Sequence, residues 1–347
     1  MPHLKSLDGV RGLAVLLVLL SHFSHQKIPF TQSVDFIGIG KAGVYLFFAL
    51  SAFLLTLPFL KKGNAYSVTR YTLLNYFWRR VLRIYPLYLL ILGASIITTL
   101  YFDGLAKNSS YNIRLHELLP HILLTEGKGI FWSIPVEFKY YFVLPLLAIV
   151  FRSLGGDILK CGALTLVLII FATWLYPPTL APSNTVTLGY YLPIFFLGSY
   201  TAVLYLHLEQ VASRNQRQVA DVVAFIMLIA ALLTVPDIWN ALAQQKIPYW
   251  YFTRSFMLYG CIWSLLILCA LIGDGFVARI FSTLPIRYLG LISFSVYLLH
   301  LPAILLTKFL FSGHKLLLPF AALFLYNRDG FSHLLFNRKT TIANQII

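Results

Sequence analysis

Charge is scarce in this chain. Only 11% of its 347 residues are Asp, Glu, Lys or Arg, against 59% hydrophobic, and the mean hydropathy is +0.78. A water-soluble domain of this length needs far less apolar surface, so a soluble enzyme or binding module is excluded. Cysteine is also rare. Cys161, Cys261 and Cys269 each sit in an apolar segment, without metal-ligand spacing or a disulfide framework, and read as small apolar residues of helices. The chain lacks a Gly-x-Ser-x-Gly elbow, a Walker loop, a His-Glu-x-x-His pair and a dinucleotide fingerprint. No segment carries the ladder of charges expected of an ion-motive or voltage-sensing helix. Low-complexity linkers and solenoid repeats are missing too.

What is present is a series of apolar runs, each about 20 residues long, the length that spans a hydrocarbon core. They predict an all-α, polytopic transmembrane bundle of about ten spans, near 10–28, 41–60, 84–102, 130–150, 161–177, 188–207, 219–236, 254–273, 288–307 and 316–327. The last is short and weak. A basic start followed by an apolar run, with no small-residue cleavage pattern after Leu20, reads as a retained signal anchor. The net charge of +15 does not point to nucleic acid, because the cations fall in short loops between spans. Lys61, Lys62, Arg70, Arg79, Arg80, Arg83, Arg152, Lys160, Arg214, Arg217, Arg279, Arg287, Arg328, Arg338 and Lys339 gather on one side, and fewer, among them Lys27, Lys107, Arg114, Lys128 and Lys246, on the other. The positive-inside rule then puts both termini in the cytoplasm, with membrane lipids as partners of the basic loops. The longest outside loop, about 103–129, is expected to be a short ordered cap.

Arg11 and His22 stand out. Eleven helical steps bring them to within roughly 20° of one face, about 16 Å apart along the axis. Ionisable groups at such depth usually face a bundle interior or a wet cavity. His22 titrates near neutrality and is suited to accept a proton from a hydroxyl; an interfacial hydrogen bond is the plainer alternative. His25 lies nearer the membrane boundary and reads as a loop residue. Asp8, three residues before Arg11, reads as its partner in a surface ion pair. Arg80 and Arg83 are also three apart, and their guanidinium forks suit phosphate oxygens, although positive-inside anchoring explains them as well.

Glu137 is a carboxylate in an apolar span and needs a partner; Lys139, Arg11 and His22 are the candidates. It is placed either to orient a histidine or hydroxyl or to make a structural bond between helices. Ser51 and Ala52, small residues in Gly43–Phe53, read as packing positions. Tyr297 and His300 share a helix face late in the chain, where interfacial anchoring competes with a functional role.

Together these segments resemble the integral-membrane acyltransferase family 3. Its first span carries Arg, ten residues, then His, as at Arg11 and His22 after Leu7-Asp8-Gly9. Gly43–Phe53 is similar to its Phe-Phe-x-Leu-Ser-Gly-Phe element, and Arg80–Pro86 to its Arg-x-x-Arg-Ile-x-Pro element. Trp132-Ser133 through Glu137 resembles its Trp-Ser-x-x-x-Glu element, and Ser293–His300 its Ser-Tyr-Ser-x-Tyr-Leu-x-His element. Five elements occur in the family's order across most of residues 4–302. The resemblance implies an O-acyltransferase moving acetyl or succinyl from acyl-CoA to a hydroxyl of an extracytoplasmic carbohydrate, glycan or lipid-linked sugar, in the bacterial inner membrane. It implies His22 as base, Arg11 as positioner of His22 or the donor, Arg80 and Arg83 as holders of the CoA phosphates, and Glu137 as orienter of the acceptor or the histidine. No metal and no permanently bound cofactor are expected.

The chain departs from the pattern at Ala52, where the family has Gly, and at Phe294, where it has Tyr. Residues 1–310 form the expected acyltransferase-3-like domain. Residues 311–347 read as an atypical short last span and a basic tail, without the family's closing Glu-x-Pro span. A glycolipid or acyl-carrier flippase is the competing reading; it would not need a CoA site. A disabled or purely structural relative is the third.

Overall fold

A computed structural model describes residues 5–27, 34–61, 69–101, 111–248 and 250–310, with side chains to residue 304. Every regular element among them is helical. Helices α1 (Lys5–His25), α2 (Ile39–Leu60) and α3 (Arg70–Tyr101) precede a small cap containing α4 (Leu118–Ile122). The long helices α5 (Ser133–Ser153), α6 (Ile158–Leu175), α7 (Leu192–Val211) and α8 (Arg214–Leu233) follow. Next come α9 (Pro236–Ala243), α10 (Trp250–Thr253), the 17-residue apolar α11 (Phe256–Ile272) and α12 (Phe276–Phe281). The series closes with α13 (Leu284–Leu291) and α14 (Ser293–Leu310), bent 83° against each other.

Seven helices are long and apolar enough to cross a membrane, or eight if the bent pair forms one span. The chain is an integral membrane helix bundle, and "about ten" spans is approximate. The expected span at 316–327 and the tail 311–347 lie outside the described residues. The span expected at 84–102 begins instead at Arg70, where the Thr69 hydroxyl accepts the Thr72 N–H at 3.2 Å and caps the first turn. Arg80 and Arg83 therefore sit inside α3, not at its entrance.

The interior is built on α2, which packs against α1, α5, α7 and α11. Around it, α6 and α8 turn apolar side chains outward, among them Leu166, Ile170, Trp174, Val222, Phe225 and Ile229. Such faces suit lipid, the solvent that backbone-satisfied helices tolerate. Where α13 crosses α1, a Cβ on Gly290 would fall on the Asp8 carbonyl, and one on Gly12 on the Ile286 carbonyl. Backbone meets backbone here, so only glycine fits. Gly290→Ala is expected to lower the Tm in detergent, since overpacking of this kind costs about 1–3 kcal/mol. An unchanged Tm would show that α13 moves off α1 without loss.

Of the loop expected as an ordered cap at about 103–129, the described part from residue 111 folds into short helical turns at one end of the bundle. Glu117 accepts the Arg114 N–H at 2.7 Å, and Lys128 Nζ donates to both carboxylate oxygens at 3.2 and 3.3 Å. The slight burial of Glu117 pushes its carboxyl up, but the Arg114 N–H and Lys128 outweigh it and hold it below its ordinary range. Buried His121 donates from Nδ1 to the Glu117 carbonyl at 2.7 Å and accepts the Lys128 N–H at Nε2, 3.1 Å. Tyr85 and Tyr88 of α3 donate to the carbonyls of Ile122 and His121, which ties the cap to the bundle.

Candidate functional site

A cleft among α1, α2, α3, α5 and α14 holds about 810 Å³ of non-protein space, part of it open to the outside. Arg11, Arg80, Arg83 and Glu137 all line it, with Ser51, Ser133, Tyr141 and Tyr297 between them. Phe47, Phe48, Leu54 and Ile84 supply apolar wall. Three guanidinium groups and one carboxylate, all on helices long and apolar enough to cross a membrane, give the cleft a net positive lining, which favours an anionic guest.

Helical geometry sorts the arginines. Arg79 is exposed and bonds Asn75 on its own helix at 3.1 Å. Arg80, about 100° further round, turns to the cleft; its Nε is buried with no partner among the described residues. Arg83 follows one turn later on the same side. Arg11 Nη1 donates to Asp8 Oδ1 at 3.3 Å. The expected surface ion pair is in fact an interior one, because Asp8 lies under α13 and is only 3% exposed.

Glu137 is satisfied by groups other than those expected. Its Oε1 accepts from Ser51 Oγ and from the Tyr141 hydroxyl, both at 2.6 Å. Lys139, two residues on and so on another face, donates to the Val186 carbonyl at 2.9 Å. The packing expected of Ala52 holds, since it is fully buried beside Gly198. Ser51, one step round the helix, is a cleft residue, and reading the pair together missed it.

Tyr297 is not an interfacial anchor. It is buried; its hydroxyl donates to the Ile130 carbonyl at 2.6 Å and accepts from Ser133 Oγ at 2.9 Å. Tyr141 and Ser133 went unrecognised as cleft residues. The signal available for Tyr141 was its place one turn after Glu137.

His22 does not line this cleft. It lies about 16 Å further along α1 than Arg11. Its Nδ1–H donates to the Val18 carbonyl at 2.8 Å, so Nε2 carries the lone pair. Its ring meets that of His300 edge to face, with centroids 4.6 Å apart and planes at 72°. His25 ends α1 and is exposed. The structure thus unites Arg11, Arg80, Arg83 and Glu137 in one cleft and sets His22 with His300 beyond it on α1 and α14. The arrangement can hold an anion at one end and accept a proton at the other.

A family model described as an acyltransferase domain matches residues 4–326. The peptidoglycan O-acetyltransferase OatA of Listeria monocytogenes is 26% identical over 335 residues, covering 88% of this chain and 50% of that protein. YrhL of Bacillus subtilis, named as a candidate peptidoglycan O-acetyltransferase, is 22% identical over 334 residues, covering 88% and 49%. A protein of Acidianus two-tailed virus named as a candidate acetyltransferase, ORF330, is 24% identical over 300 residues, covering 84% and 81%. The chain spans about half the length of OatA and YrhL. No solved structure matches it. With five sequence elements in family order and a match over nearly its whole length, the chain belongs to the integral-membrane acyltransferase family 3.

Proposed function

We propose that this protein is a membrane O-acyltransferase. It moves an acetyl or succinyl group from acyl-CoA to a hydroxyl of an extracytoplasmic glycan or lipid-linked sugar. The observation that carries this reading is the meeting of Arg11, Arg80 and Arg83 with Glu137 in one cleft between apolar helices, with His22 on the same helix as Arg11. Guanidinium forks bind phosphate oxygens bidentately, so the three arginines suit the phosphates of the donor. Glu137, held by Ser51 and Tyr141, orients a polar group of the bound substrate. His22, with Nδ1–H tied to Val18, offers Nε2 as base to the acceptor hydroxyl. Direct transfer needs no nucleophilic side chain. The names of OatA and YrhL favour a glycan as acceptor. The loop charges favour the bacterial inner membrane, with cytoplasmic termini.

The test is transfer of radiolabel from acetyl- or succinyl-CoA in membranes that contain the protein, with envelope glycans recovered and counted. Label above that of membranes lacking the protein is expected. Its absence with both donors, from protein shown to be inserted, would overturn the reading.

A further inference from the structure

His300 lies on α14 one turn beyond Tyr297 and is 2% exposed. Its Nδ1–H donates to the Tyr297 carbonyl at 2.6 Å, which leaves Nε2 as an acceptor. Among the described residues nothing bonds that buried nitrogen. Neighbouring hydroxyls are committed elsewhere: Tyr297 donates to the Ile130 carbonyl and Tyr111 to that of Leu298. A buried acceptor without a donor is costly, and each such case calls for an explanation. The ring it touches is His22, whose Nδ1–H is tied to a backbone carbonyl in the same way. Two helices therefore bring two imidazoles together, each with its Nε2 lone pair left over.

We propose that His300 is a positioning residue for acyl transfer, its Nε2 accepting the hydrogen bond of the proton that His22 takes from the acceptor hydroxyl. This rests on the acyl-transfer reading above. In the step, the acceptor oxygen bonds to the acyl carbon while its proton passes to His22 Nε2. The carbon–sulfur bond of the thioester breaks, and the departing thiolate takes the proton back. An ester and a free thiol result, and both histidines return to their starting state. For as long as His22 is an imidazolium, the lone pair of His300 is its partner, on a ring that is itself buried. The Nδ1–H bond to Tyr297 keeps that lone pair available, because a ring fixed in this tautomer has no proton on Nε2.

Two substitutions separate the lone pair from the ring. His300→Phe keeps a planar ring against His22 but offers no acceptor; His300→Asn offers an acceptor oxygen without the ring. In the labelled-donor assay, His300→Phe should lower kcat about 10- to 100-fold, with KM for the donor within about twofold and normal protein level. His300→Asn should retain clearly more activity than the Phe variant. Wild-type kcat in His300→Phe, or equal loss in both variants, would overturn the proposal while wild-type labelling keeps the acyl-transfer reading intact. A second measurement does not depend on activity. ¹⁵N-histidine NMR of the purified protein, assigned by signals lost in His22→Phe and His300→Phe, should show both rings as Nδ1–H tautomers. The His22 signals should shift in His300→Phe. An Nε2–H tautomer at His300, or an unmoved His22, would overturn the proposal whether or not transfer is detected.

Discussion

Alanine at position 22 should lower acyl transfer by about 10²- to 10⁴-fold, the usual worth of a positioned general base, at unchanged protein level. The imidazole is held by a single local bond to Val18, within its own helix turn. Its removal leaves the α1 backbone ladder intact, so the helix and its glycine crossing with α13 persist. The check is kcat from labelled acyl-CoA, normalised to inserted protein by quantitative blot. A parallel fall in protein level would assign His22 a structural role. Retention of transfer would move the base to another group.

The second large effect is expected at the arginines of α3. Arg80→Ala combined with Arg83→Ala should raise KM for acyl-CoA far more than KM for the acceptor. A hydrogen bond to a charged group contributes about 1.5–3 kcal/mol, so each lost guanidinium contact weakens donor binding roughly 10- to 150-fold. Arg79→Ala supplies the comparison. It removes a cation of the same run that is exposed and bonds only Asn75 among the described residues, and it should leave both KM values near wild type. If all three arginines behaved alike, the run would be a membrane-surface anchor. If acceptor KM rose with donor KM, the cleft would bind both substrates at the same guanidinium groups.

Much of this architecture was legible in the sequence, for identifiable reasons. Apolar runs of membrane length have few alternatives to helix, so the spans from α1 to α8 were found to within a few residues at most ends. The start of α3 was not, because Tyr71 to Trp78 mix polar and aromatic residues; the Thr69 cap and the absence of Gly and Pro decide that boundary. The 83° bend between α13 and α14 falls at Ile292, inside a run whose hydropathy is continuous. Its cause is tertiary, since Gly290 is drawn onto Asp8 while Tyr297 is held by Ser133 and Ile130. The Arg11–His22 spacing was readable because both residues lie on one helix. The partners of Glu137 and His22 were not, because Ser51 and His300 come from segments remote in sequence. Spacing within one helix says nothing about which neighbour it will meet.

The crossing at Gly12 and Gly290 has a consequence for the length of the substrate. It pins one end of α1 by backbone contact, while His300 holds the other by ring contact. Clamped at both ends, α1 serves as a measuring rod that sets the backbone positions of Arg11 and His22 about 16 Å apart along its axis. Under the proposed chemistry, a donor anchored at Arg11 brings its carbonyl to His22 only if the arm between its anionic part and its thioester spans that rod. Truncated thioesters that keep the acyl group but lose the intervening arm fall short of the rod, however reactive their carbonyl.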